Sequence, residues 1–156
     1  MDQDEFSRRI IAMLPVLHRL AWSQLRQAAD REDAVQETIR RAWEKRDQLR
    51  EERFMQTWVI RILLNVCDTM RRRAGRMQPA EVLPEQGEAP LRDTPLLDVL
   101  MQLDAKYRLP LQLHYVEEYP VAEVARMLRL PQGTVKSRMA RGREKLRTML
   151  DEEVFI

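Results

Sequence analysis

The chain has a single cysteine, Cys67, so no disulfide framework can form within it. That thiol stands in the apolar run Val59-Ile60-Arg61-Ile62-Leu63-Leu64-Asn65-Val66, where a buried small hydrophobe is expected and redox sensing is the alternative. Glycine is scarce, with 4 residues, and aromatics make up 6% of the chain; both shortages argue against a turn-rich β fold. No segment approaches the roughly 20 apolar residues that cross a bilayer. The N-terminus, Met1-Asp2-Gln3-Asp4-Glu5, is acidic and has neither the basic start nor the apolar core of a signal peptide, so a cytoplasmic location is expected. Only 2 histidines occur, His18 and His114, and neither lies near Cys, Asp or Glu at metal-ligand spacing. A Gly-rich phosphate loop and a motif pairing a nucleophile with a base are also lacking. The expectation is a protein that is not an enzyme, with no catalytic residue, metal site or cofactor, and with His114 at the core or rim of an apolar helix.

What is present favours helices. Charged residues make up 33% and hydrophobic residues 44% of the 156-residue chain, with Arg, Leu, Glu, Ala and Met abundant, which predicts an all-α protein. The formal net charge of +2 conceals segregation: Arg71, Arg72, Arg73 and the run from Lys136 to Arg147 are basic, while residues 81–93 lean acidic. Clustered cations of this kind suit a polyanion.

Apolar positions Phe6, Ile10, Met13, Leu14, Leu17, Leu20, Ala21 and Leu25 draw one stripe down a helix over residues 5–28, with a kink or break expected at Pro15. A second helix is expected to start at Asp30 as its cap, with Glu32 and Asp33 favoured by the helix dipole, and to run to about Arg46. The third, about Glu52 to Arg73, is expected to bury Phe54, Trp58, Ile62, Leu63, Val66 and Met70, and to end in Arg71, Arg72 and Arg73, where cations complement the dipole or form an interaction surface. From Ala74 to Thr94 the periodicity stops among Gly75, Pro79, Pro84, Gly87, Pro90 and the acids Glu81, Glu85, Glu88 and Asp93, the composition of an extended, flexible linker. The expected division is a first domain over 1–75, a linker over 76–93 and a second domain over 94–156. Thr94-Pro95 should restart the helix with a capping hydroxyl; Leu96, Leu97, Leu100, Met101 and Leu103 supply its buried face. A further helix is expected over about Asp104 to Glu118, kinked or delayed at Pro110.

The stretch from Pro120 to Leu146 reads as helix, short turn, helix. Val121, Val124, Ala125 and Leu128 should face inward, Leu130 should plug the turn, and Val135, Met139 and Leu146 should complete a small core, with Pro131 opening the second helix. Ala125 is small where two helices approach closely. The second helix carries Lys136, Arg138, Arg141, Arg143, Lys145 and Arg147. A helix-turn-helix places such a helix in the major groove, where side chains near its N-terminus reach base edges and others hold phosphates. Thr134, Lys136, Ser137, Arg138, Arg141 and Arg143 are the candidate DNA-binding residues.

Leu130-Pro131-Gln132-Gly133-Thr134-Val135-Lys136-Ser137-Arg138, followed by Ala140-Arg141-Gly142-Arg143-Glu144-Lys145-Leu146, resembles the region-four helix-turn-helix of extracytoplasmic-function (ECF) sigma factors of the sigma-70 family. Arg31-Glu32-Asp33-Ala34-Val35-Gln36-Glu37-Thr38 with Arg41-Ala42-Trp43 resembles the family's region two. Trp58 to Asn65, with Asp68 and Arg71, Arg72 and Arg73, resembles its next helix. The resemblance implies a promoter-specificity factor whose 1–75 segment is region two, and whose 94–156 segment is region four, contacting the minus-35 element. It implies that Asp33, Gln36, Glu37 and Arg40 dock the beta-prime clamp coiled coil of bacterial RNA polymerase core, with the beta flap as a further polymerase contact. Arg61, Asn65, Asp68, Arg71, Arg72 and Arg73 are implied as the minus-10 surface. An anti-sigma factor is an implied partner, and the acidic linker would either follow the RNA exit path or act as a solvated tether. Trp58 and Phe54 are expected in the core rather than stacked on bases. The Tyr119-Pro120 start of the first helix departs from the small hydroxyl cap common in the family.

A helix-turn-helix regulator that forms no holoenzyme is the rival, and it would put a ligand pocket or dimer features in residues 30–73. A purely structural interaction protein is disfavoured by the cation cluster.

Overall fold

The computed structural model describes the backbone of residues 1–77 and 94–154 and the side chains of 1–75 and 95–152. All regular structure among the described residues is helical, and none of these helices is long and apolar enough to cross a membrane. The chain divides into two compact units, residues 1–90 and 91–156. The linker acids Glu81, Glu85, Glu88 and Asp93 and the Thr94 hydroxyl lie outside the described residues.

The first unit holds α1 (Gln3–Gln24), α2 (Ala28–Glu44) and α3 (Met55–Met77), with short 3-10 turns at Arg46–Gln48 and Glu52–Phe54 between the last two. Each helix packs on the other two. Asp2 caps α1, its carboxylate accepting from the Glu5 amide at 2.8 Å, and the helix passes through exposed Pro15 without a break. The break expected there does not occur. Phe6, Ile10, Met13, Leu17, Leu20 and Ala21 form its buried stripe, one residue every third or fourth position as an amphipathic helix requires.

The start of α2 also differs from expectation. Asp30 lies inside the first turn and Gln27 occupies the cap position without a side-chain bond. The corner is held instead by buried Arg31, whose Nε donates to the Leu25 carbonyl at 2.9 Å while its guanidinium lies 5.5 Å from the Trp22 ring centre. A charged donor on the carbonyl at the end of α1 satisfies an acceptor that the helix leaves open.

In α3 the buried apolar residues are Met55, Val59, Ile60, Leu63, Val66 and Cys67. Leu63 and Val66 lie where expected, whereas Phe54, Trp58, Ile62 and Met70 are half-buried on the shoulders. Apolar residues stand at most positions between 58 and 67, so periodicity alone does not fix the rotation of this helix about its axis. Packing against both α1 and α2 does. Trp58 meets Phe6 edge-on at 6.5 Å between ring centres, at the border of the core. Cys67 is fully buried, and burial pushes its thiol up to about 12, so it serves as a small hydrophobe. The helix continues to Met77; Arg71, Arg72 and Arg73 are therefore not its last turn, and Gly75 keeps a negative φ instead of ending it.

The second unit holds α4 (Thr94–Leu100), α5 (Ala105–Leu111), α6 (Val121–Leu128) and α7 (Gln132–Val154). Pro110 sits within α5, and the chain then widens into a π turn over Gln112–Val116. Proline removes one amide and crowds the carbonyl four residues back, and a wider turn is one way for a helix to absorb that. The turn closes with the Glu117 amide on the Gln112 carbonyl at 3.0 Å, and Glu118 follows at φ 65°.

Leu97, Leu100, Leu103, Leu111, Leu113, Val116, Val124, Ala125, Met127, Val135 and Met139 form this core. Val121, Leu128, Leu130 and Leu146 are half-buried at its edge, and Leu96 is exposed. Pro120 gives α6 no side-chain cap, as the Tyr119-Pro120 departure implied. The α6–α7 turn is set by Arg129 in the left-handed region, φ 56° and ψ 44°. Its amide and that of Leu130 close on the Arg126 and Ala125 carbonyls at 3.4 and 3.0 Å, the Schellman pattern that satisfies a helix end.

Helix α7 crosses α5 at Gly142. A Cβ there would stand 2.7 Å from Leu111 Cδ1 and 3.3 Å from Tyr107 Cβ, and Leu111 is itself buried, so the crossing needs a residue without a side chain. Gly142→Val should lower stability by about 1–3 kcal/mol through overpacking. Urea denaturation of the full chain measures this, and an unchanged midpoint would show that the crossing tolerates a side chain.

Candidate functional site

Among the described residues, two polar surfaces carry most of the candidate site residues. On α7, the turn of roughly 100° per residue puts Thr134, Arg138, Arg141 and Lys145 along one flank. Thr134, Ser137, Arg138 and Arg141 line an open groove together with Pro131, Gly133 and, from α5, Lys106 and Tyr107. Lys136 and Arg143 share the far flank. Arg143 donates to the Tyr115 hydroxyl at 3.3 Å, which ties that flank to the π turn. A strip of Gly133, Ser137, Ala140 and Glu144, all exposed, lies between the flanks. The candidate DNA-binding residues thus share one helix but not one face.

A strip of mostly small side chains between two cationic flanks can approach the base edges of a duplex while each flank meets a phosphate backbone. Arg141 lies 3.5 Å from Glu144 with both side chains mostly exposed, a separation at which the pair contributes little. Its guanidinium therefore stays available. His114 is half-buried, with Nδ1 at 2.8 Å from the Tyr119 carbonyl. Since the carbonyl only accepts, Nδ1 carries the proton, and the imidazole helps close the turn before α6.

The second surface belongs to the first unit. Asp33, Gln36, Glu37 and Arg40 of α2 line a cleft with Arg41 and with Val66, Thr69, Met70 and Arg73 of α3. Arg73, expected on the minus-10 surface, therefore opens toward the α2 residues. Arg61, Asn65, Asp68 and Arg72, spaced by four, three and four, share a different face of α3. Arg72 lies 3.0 Å and Arg71 3.5 Å from the Asp68 carboxylate. Arg71 also turns toward α1, where it donates to the Gln24 side-chain carbonyl, so its arm braces two helices.

Charge in the α2 cleft is pre-paired. Glu37 accepts from Arg40 at 2.5 Å and from Arg41 at 2.8 Å, while Arg40 reaches Glu44 at 2.7 Å. Gln36 donates to Glu32 at 3.2 Å. Hydrogen bonds from Arg40 and Arg41 hold the Glu37 carboxyl down at about 2. A partner entering here meets oriented groups, and any cation it brings must share Glu37 with those arginines.

Sequence reasoning did not single out Lys106 or Tyr107 as site residues. They are remote from the helix-turn-helix motif, and only the α5–α7 crossing brings them beside it. Arg41 was quoted in a motif without a role, although its position four residues after Glu37 is an ion-pair spacing.

Because the folded-state pKa of Glu37 is depressed, its contribution to stability is present above the ordinary carboxylate range and is lost as pH falls toward about 2. Carboxyl NMR titration should find Glu37 still ionised at a pH where a free model carboxylate is largely protonated. Replacing Arg40 and Arg41 with Ala should return it to an ordinary midpoint; a normal midpoint in the unaltered chain would remove the pairing.

Comparison with known proteins finds relatives for both units. Residues 10–77 match the family described as Sigma-70 region 2, and residues 94–146 match Sigma-70, region 4. The ECF RNA polymerase sigma factor SigW of Bacillus subtilis is 30% identical, with 96% of this chain and 90% of SigW aligned. The ECF RNA polymerase sigma factor SigM of Mycobacterium tuberculosis is 34% identical over 86% of this chain and 71% of SigM. Among solved structures, the sigma factor RpoE of Bartonella quintana, in complex with the anti-sigma factor NepR, superposes with a TM-score of 0.76 at 26% identity, covering 94% of this chain and 97% of RpoE. With both regions present in order and a relative aligned over nearly its whole length, the chain belongs to the ECF sigma factors of the sigma-70 family, promoter-specificity factors of bacterial RNA polymerase.

Proposed function

We propose that this chain binds core RNA polymerase through the α2 cleft and directs initiation by contacting two promoter elements with two separate helices. The observation that carries the reading is the pairing, in one chain, of a cleft lined by Asp33, Gln36, Glu37 and Arg40 with a helix-turn-helix whose second helix offers cations on both flanks. The cleft docks the beta-prime clamp coiled coil. The face of α3 bearing Arg61, Asn65, Asp68 and Arg72 meets the minus-10 element, with Arg71 bracing it and Arg73 turned to the cleft. Thr134, Ser137, Arg138 and Arg141 meet one side of the minus-35 groove, and Lys136 and Arg143 the other. The second unit contacts the beta flap. An anti-sigma factor holds the chain when it is idle, a reading supported by the complex in which RpoE was solved.

A regulator that needs no polymerase is not favoured, because residues 30–73 fall within the region 2 match. The initiation reading is tested by run-off transcription with purified core polymerase on genomic fragments, with and without the chain. Transcripts that depend on the chain are expected; none would defeat the reading.

Gln36→Ala combined with Glu37→Ala should weaken core polymerase binding while leaving the helical circular dichroism and melting profile in place. A holoenzyme titration identical to that of the unaltered chain would reject the docking assignment. Arg138→Ala and Lys136→Ala should each weaken binding to a promoter fragment recovered by run-off. A base contact would cost about 1–3 kcal/mol, and a phosphate contact would reduce the salt slope by about one. Because the two residues stand on opposite flanks, the losses should add; a variant that binds as before takes its residue off the surface.

A further inference from the structure

The α5–α7 crossing brings Lys106, a cation outside the helix-turn-helix motif, beside the cations of α7. Tyr107 of α5 is half-buried. The Lys106 and Lys145 ammonium groups each lie 5.4 Å from its ring centre, inside the range in which an aromatic face attracts a cation. Lys106 and Tyr107 border the same groove as Thr134, Ser137, Arg138 and Arg141, and Lys145 continues that flank one turn beyond Arg141. Lysines from separate helices thus converge on one ring beside two arginines. Like charges gathered this way repel one another, and the negative face of the ring offsets part of that repulsion. An anion laid along the groove relieves the rest.

We infer that Lys106 and Lys145, held by the Tyr107 ring, form a phosphate clamp that extends the recognition helix's grip along the DNA backbone. The clamp rests on the proposed DNA role of α7 and adds contacts from α5, an element outside the helix-turn-helix. Duplex DNA is preferred to an acidic polypeptide because the groove is continuous with Thr134, Ser137, Arg138 and Arg141 on the flank that borders the base-reading strip. An ammonium is a compact point charge without the planar fork used to read guanine, so the clamp is expected to add affinity without sequence preference.

The full chain carrying Lys106→Gln or Lys145→Gln is titrated with the promoter duplex recovered by run-off and with a scrambled duplex, by fluorescence anisotropy over a salt series. Arg138→Ala runs alongside, and poly-glutamate serves as a protein-like polyanion. Each lysine variant should reduce the salt slope by about 0.9, to the same extent on both duplexes. Unchanged slopes for the lysine variants, with weakened binding by Arg138→Ala, would overturn the clamp and leave the DNA role of α7 standing. Unchanged binding by all of the variants would overturn both. A loss confined to the promoter duplex would make the lysines base readers and reject the phosphate assignment. A loss confined to poly-glutamate would assign the groove to a protein partner instead.

Discussion

Helix α7 has to bury Val135 and Met139 against short helices while keeping its cations in water, and the close approach at Gly142 allows both. Leu111 and the Cβ of Tyr107 occupy the space a side chain would take, so α5 lies tight across α7 and covers its apolar stripe. The rest of that helix is left to solvent as two cationic flanks and a strip of mostly small residues. A looser crossing would expose the stripe, draw Lys106 and Tyr107 away from the groove, and separate Tyr115 from Arg143. The geometry of the proposed DNA surface is thus a consequence of packing on the reverse side of the same helix.

The first unit follows a similar logic with different parts. Three helices bury one stripe each, and Arg31 closes the corner between the first two by donating to the Leu25 carbonyl. With α2 fixed this way, its outer face presents Asp33, Gln36, Glu37 and Arg40 beside α3. The ion pairs there are exposed and contribute little to folding. Their effect is to orient Arg40 and Arg41 around one carboxylate before any partner arrives. The proposed docking would then lose less side-chain freedom than it would with unpaired arms.

Much of the site was legible because function here depends on charge and residue type carried on helices. The cation run after Pro131, the acidic-polar pattern around Asp33 and the Arg71–Arg73 cluster are visible in the chain itself. Their division into faces was partly legible, since the spacing of Arg61, Asn65, Asp68 and Arg72 already implies a common side. That Arg73 joins the α2 cleft and that Arg71 reaches Gln24 depends on which neighbour each side meets, and spacing is silent on that. Lys106 and Tyr107 carried no signal, because what they join lies some thirty positions further along the chain.

The sequence by itself determined the helical class, the helix-turn-helix and the chemistry of both surfaces, because composition and apolar periodicity act locally, over a few turns. Tertiary structure decided how each helix is rotated and what it meets. It set Phe54, Trp58, Ile62 and Met70 on the shoulders of the core rather than inside it, carried α1 through Pro15 and α3 past Arg73, and converted the Pro110 irregularity into a π turn. The physical reason is that a helix fixes angles between its own residues but not its orientation about its axis. Where apolar residues stand on several sides, as between Trp58 and Cys67, only packing against other helices selects the face that leaves water.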